Sequence, residues 1–292
     1  MNRQAFTRNC IRKEIWKAFH NRWFGISAAV GIGIAVLGIV HNTRFLNSVI
    51  ENIRWCAEND IPVSSSLEGA SLFTAWIAVD AMGYAAGLLY LIWPLLCALP
   101  YGYSAAQEWR NGVTGQIQIR CGRQAYLAGK FIALFLSGGV AFAIPVVTNL
   151  LGNALICPDN LPCVAERMVM ISNQNFLSEL YYTHPWAFAL AWCGVDFLFG
   201  GVGACLSLVC SVRCRFPLLA AVLPFGILYA ANYLLAFVQT SFAEIYMLSP
   251  LLMPKASTYL HNPGWILLTA AVCLAAIGFA GGYFQVVKHE NL

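Results

Sequence analysis

The chain predicts an all-α integral membrane fold: six transmembrane helices behind a cytoplasmic amphipathic N-terminal helix, with both termini cytoplasmic. Three observations carry that expectation. Of 292 residues, 59% are hydrophobic and 10% charged, against roughly 25% charged in an ordinary soluble domain, so lipid has to cover most of the surface. Six stretches stay apolar over about 20 residues, the length that crosses a bilayer. They lie near 23–41, 82–104, 128–154, 186–210, 216–239 and 264–287. Finally, the basic residues divide unequally between alternate connections.

Residues 1–22 read as a separate amphipathic segment. Ile11, Ile15, Phe19 and Trp23 recur every four residues, while Arg12, Lys13 and Lys17 fall on other faces. Such a helix lies in the cytoplasmic interface with its bases near anionic headgroups; contact with a protein partner is compatible with that. The polar, basic run ahead of 23–41, with no clean small-residue cleavage site after it, reads as the flank of a retained span rather than a signal peptide. Residues 23–292 then form one six-span domain.

Orientation follows from Lys and Arg. Thirteen of the 17 share one side, among them Arg3, Arg8, Arg12, Arg110, Arg120, Arg123, Lys130, Arg213, Arg215 and Lys288. Only Arg44, Arg54, Arg167 and Lys255 lie opposite. The external connections are then 42–81, 155–185 and 240–263. Within them, "ASLFTAWIAV" and "FAEIYMLSPLLM" are apolar enough to dip into the outer leaflet as re-entrant or interfacial helices. Glycines in the spans (Gly31, Gly33, Gly38; Gly194, Gly200, Gly201, Gly203; Gly278, Gly281, Gly282) predict close helix packing. Pro94, Pro145 and Pro224 predict kinks.

Five of the eleven cysteines, Cys97, Cys193, Cys205, Cys210 and Cys273, sit in spans, where a thiol behaves as a small hydrophobe. Cys157 and Cys163, in the external "CPDNLPC", form a tight loop that a disulfide could close, with Cys56 as a competitor. No phosphate-binding loop, HExxH, GxSxG or paired-Cys zinc spacing occurs. The expectation is therefore no catalytic residue, no metal, no cofactor held by this chain and no nucleic-acid partner. One acid lies deep in a span, Asp196. At that depth it reads as a proton relay or substrate contact, or as a structural group bonded to a neighbouring helix through Asn232 or Tyr233.

The connection 105–127 is unusual. It carries Glu108, Arg110, Arg120 and Arg123, with Lys130 at the start of the third span. Glu108 to Gln118 could form a short surface helix, but Gly112 and Gly115 each weaken it by about 1 kcal/mol. They suggest a bend or the close approach of another backbone. Positive-inside anchoring explains the bases but not Glu108 and the two glycines.

That run, Glu108-x3-Gly112, then Arg123, then Gly129-Lys130, resembles the ABC type-2 permease family, the transmembrane subunits of ATP-driven exporters. The likeness in architecture covers the whole chain and the motif about 25 residues. Val113 stands where the family commonly has Thr, and "IRCGRQ" lacks a frequent Pro. The resemblance implies a separate nucleotide-binding ATPase that supplies ATP and Mg chemistry, and a second permease copy or homologue. It makes 105–127 the coupling loop, with Glu108, Trp109, Arg110, Gly112, Gly115, Arg120, Arg123 and Lys130 as ATPase contacts. Ile11, Ile15 and Phe19 would belong to its connecting helix. A hydrophobic or amphipathic cargo and a multi-pass place in a bacterial plasma membrane are the matching expectations. The alternatives are an ion-coupled carrier or intramembrane enzyme centred on Asp196, or a non-transporting immunity or scaffold protein.

Overall fold

The computed structural model describes residues 3–63, 71–81, 83–162, 171–211, 214, 216–242, 247–258 and 260–288. Side chains are described at all of these except 3–7, 239–242 and 285–288. Among the described residues the helices, in chain order, are α1 (Arg3–Phe19), α2 (Arg22–Glu58), α3 (Leu72–Ala75), α4 (Tyr84–Ala98), α5 (Ser104–Arg110), α6 (Val113–Cys121), α7 (Arg123–Ala154), α8 (Ser178–Thr183), α9 (Pro185–Ser211), α10 (Pro217–Phe242) and α11 (Gly264–Lys288). Five of them, α2, α7, α9, α10 and α11, are long and apolar enough to cross a membrane.

The two expected boundaries that move furthest do so for local reasons. The first span was expected to end near residue 41, yet α2 continues to Glu58, about 55 Å at 1.5 Å per residue. Residues 42–58 hold no Gly or Pro. The helix stops where Asp60 takes a positive φ of 53° just before Pro62. The second span was expected over 82–104, but α4 is 15 residues long. Pro100 lacks the N–H that another turn would need, and the chain instead tightens through Gly102 N–H to the Ala98 carbonyl at 2.7 Å. Pro94, Pro145 and Pro224 all lie inside continuous helices.

α7 is the spine. Its glycines lie against those of α9: a Cβ on Gly138 would meet the Gly200 carbonyl oxygen at 2.7 Å, and one on Gly200 would meet that of Gly138 at 2.9 Å. Backbones approach this closely only without side chains, the main packing device in lipid. Gly31 and Gly38 do the same for α2, against Pro145 and Asn149 of α7. Gly33 and Gly194 face open space, so the glycine clusters serve packing only in part.

The two apolar pieces expected as re-entrant or interfacial helices fold inward. Leu72, Phe73, Trp76, Ile77, Ala78 and Val79 are all buried, as a single helical turn followed by a bend rather than a full interfacial helix. Of the second piece, residues 243–246 lie outside the described residues, while Met247, Leu251 and Met253 are buried in non-helical chain. The Ala256 N–H donates to the Ala78 carbonyl at 3.0 Å, joining the two. Indoles hold them from the bundle: Trp93 donates to Leu251 O at 2.8 Å and Trp192 to Pro254 O at 2.7 Å.

Irregular backbone buried in this way needs polar partners from protein, and three buried asparagines provide them. Asn149 accepts from Ile77 N–H at 2.8 Å and donates to Ala35 O at 3.1 Å. Asn153 donates to Asn149 Oδ1 at 2.8 Å, and Asn42 donates to Ala75 O at 2.6 Å.

Candidate functional site

The opposite end of α7 holds a buried charge cluster. Lys130 Nζ, fully buried, lies 2.7 Å from Glu14 Oε2 on α1 and 2.9 Å from Glu108 Oε1 on α5. It also donates to the Tyr101 hydroxyl at 3.1 Å and to Ser104 Oγ at 3.2 Å. Lys17 bridges the same carboxylates, at 2.8 Å from Glu14 and 3.4 Å from Glu108. Tyr101 donates to Glu14 at 2.5 Å and Tyr126 to Glu108 at 2.9 Å. The Tyr101 ring centroid lies 4.6 Å from the ammonium, close enough for a cation–π contribution. Two ammonium groups against two carboxylates leave the cluster electroneutral, which is what lets charge persist out of water.

Local sequence explains the geometry. A Cβ on Gly129 would come within 3.6 Å of the Ile11 Cα and 3.3 Å of Glu14 Cγ, so Gly129 admits α1 directly onto α7, one residue before the buried lysine. Asn21 then turns the chain. Its amide donates to Lys17 O, Ala18 O and Pro100 O at 2.9, 2.7 and 3.0 Å, and its oxygen caps α2 by accepting from Phe24 N–H at 2.9 Å. One side chain thus ends α1, starts α2 and ties both to the segment leading into α5.

The cluster shifts the protonation of Glu14 and Lys17. Burial alone would raise the Glu14 pKa, but the charge of Lys130 and the hydrogen bonds of Lys130, Lys17 and Tyr101 hold it down at about 2. For Lys17, burial opposes protonation, yet Glu14 and Glu108 win and raise its pKa. Both groups are ionised at neutral pH.

The expected contact residues separate. Glu108 and Lys130 are drawn together into the cluster. Gly112 takes φ 66° and bends the chain between α5 and α6, so the single surface helix imagined over Glu108–Gln118 is two helices. Gly115 is helical with nothing near it. Arg110 and Arg120 are exposed, Trp109 and Arg123 half-buried. Ile11, Ile15 and Phe19 are half-buried, while the deepest stripe of α1 is Cys10, Glu14 and Ala18. Burial therefore lies to one side of the apolar repeat.

Glu14, Asn21, Tyr101, Ser104 and Tyr126 were not singled out from the sequence, and Lys17 was read only as a base on another face of the amphipathic helix. The available signal was Glu14, the one acid in α1, at four-residue spacing from Cys10 and Ala18.

Asp196 lies fully buried in α9 and accepts from the Tyr90 hydroxyl of α4 at 3.1 Å. Its partner is therefore neither Asn232, which accepts from Ser249 at 2.7 Å, nor Tyr233, whose hydroxyl meets that of Tyr229 at 3.0 Å. Asp196 Oδ1 has no hydrogen-bond partner. Cys157 pairs with no cysteine among the described residues, and Cys163 lies outside them. Among the described residues no three His, Cys, Asp or Glu side chains gather as a metal site. The charge cluster ties three segments together, α1 through Glu14, α5 through Ser104 and Glu108, and α7 through Lys130. No protein-family model matches the chain, and no curated protein is significantly similar to it.

Proposed function

We propose that this chain is the membrane-spanning permease subunit of an ATP-driven exporter of the ABC type-2 kind, multi-pass in a bacterial plasma membrane. The observation that carries the reading is Lys130 held between Glu14 and Glu108. This one buried cation joins the amphipathic helix, the loop after α4 and the long helix α7. An exporter whose ATP hydrolysis resides on a partner needs such a joint, because force applied at a surface loop must reach the spans without being lost in flexure. In this reading α4 and the turn through Tyr103 complete a sixth crossing, and both termini face the cytoplasm. The end of α5 presents Arg110, and the start of α7 presents Arg123, to the ATPase. Lys130, Glu14 and Glu108 act behind that surface as positioning residues. Two copies, or this chain and a homologue, would enclose a path for a hydrophobic or amphipathic cargo.

The test is a pull-down of tagged protein from mild-detergent membranes of its native host, scored for a co-purifying ATPase, with Glu108→Ala and Gly112→Trp alongside. An ATPase that arrives with the wild type and is lost or uncoupled in the variants is expected. A folded, stable protein that purifies alone would overturn the reading. The unpartnered oxygen of Asp196 favours a second reading, an ion-coupled carrier. It requires Asp196→Asn to abolish transport in vesicles that contain no ATPase.

A further inference from the structure

A groove of about 1090 Å³ runs between α1 and α6. Its floor is largely apolar, with Ile117 on one wall and Trp16 on the other. Trp16 stacks on His20 with ring centroids 4.6 Å apart, yet keeps 60% of its surface exposed. Around the apolar floor stand Arg12, Lys13 and Arg120, none of which pairs with an acid among the described residues. Glu14 also borders the groove, but its two oxygens are taken by Lys17, Lys130 and Tyr101. The net field in the groove is therefore positive.

Depth selects the occupant. α1 rests on Gly129, where the apolar stretch of α7 begins, and the start of an apolar span is where headgroups are expected to give way to acyl chains. Exposed indole and unpaired bases over an apolar floor match an amphipathic anion there. We propose that this groove is a binding site for an anionic phospholipid, its phosphate held by Arg12, Lys13 and Arg120 and its upper acyl chain lying along Trp16 and Ile117. The inference does not rest on the exporter reading.

The experiment is native mass spectrometry of the purified full-length protein with phosphatidylglycerol or phosphatidylcholine of identical acyl chains, and with glycerol phosphate as the free headgroup. Retention of phosphatidylglycerol over phosphatidylcholine is expected. Each of Arg12→Gln, Lys13→Gln and Arg120→Gln should weaken it about fivefold, and the three together roughly a hundredfold. These side chains are exposed, so the variants should keep the wild-type size-exclusion profile, and Arg54→Gln on the far segment of α2 should bind as wild type. Equal retention of the two lipids, or an unchanged triple variant, would overturn the proposal. So would glycerol phosphate binding as tightly as the lipid, or a triple variant that loses only a protein partner.

Discussion

The two ends of α7 solve the same problem with different chemistry. Near its start Lys130 clamps α1 and α5 with full charges. Near its end Asn149 and Asn153 clamp the inward-folded 75–77 segment with neutral amides. The charged joint pulls harder on each partner, since hydrogen bonds to ionised groups are roughly twice as strong as neutral ones, but it stays buried only while its charges balance. The neutral joint tolerates loss of one member with a smaller penalty and is indifferent to pH. A joint that has to transmit motion gains from the first kind. A plug that only has to stay in place can use the second.

Breaking each joint should expose that difference. The largest effect is expected for Lys130→Met, which leaves Glu14 and Glu108 buried without their central cation. Losing one partner of a buried ion pair costs about 3–5 kcal/mol, so thermal unfolding in detergent should fall sharply. Asn149→Leu strands the Ile77 N–H and should cost less, about 1–3 kcal/mol, by the same measurement.

Acid should separate the joints next. The pKa of Glu14 is lowered from 4.5 to about 2 in the folded protein. Its contribution to stability is therefore complete above 4.5 and is lost as pH falls from there through about 2. The stability gap between wild type and Glu14→Gln should stay constant from neutral pH down to about 4.5 and close below it, whereas the gap for Asn149→Leu should not move.

A smaller effect concerns Cys10. Its thiol is buried, and burial together with neighbouring Cys121 pushes its pKa up to about 12. Maleimide labelling of Cys10 at pH 8 should be slow in the wild type and faster in Glu14→Gln, where α1 is less firmly held. The smallest effect belongs to Gly112→Ala, which places a Cβ at φ 66° in open space and should cost about 1 kcal/mol.

Local pattern reached the helices but not the joints. The ends of α9 and α11 fall within a residue or two of the apolar stretches that foretold them, because hydropathy is local. The bend at Gly112 was also legible, since glycine spacing is local too. Glu14 was not. Its burial depends on Lys130, which is more than a hundred positions away in sequence, and its own neighbourhood reads as an ordinary polar helix face. Asn42, Asn149 and Asn153 escaped for the same reason: an amide in an apolar run says nothing about which loop backbone will come to meet it. The partner of Asp196 was missed because Tyr90 lies on α4, and packing between helices, rather than spacing within one, selects it.

The central claim is that Glu14 and Lys130 act as one joint. A double-mutant cycle tests it most directly, comparing unfolding of the wild type, Glu14→Gln, Lys130→Met and the double variant. The double variant should lose clearly less than the sum of the singles, with an interaction of about 1–3 kcal/mol. Additive losses would mean that the two groups do not sense each other and would contradict it.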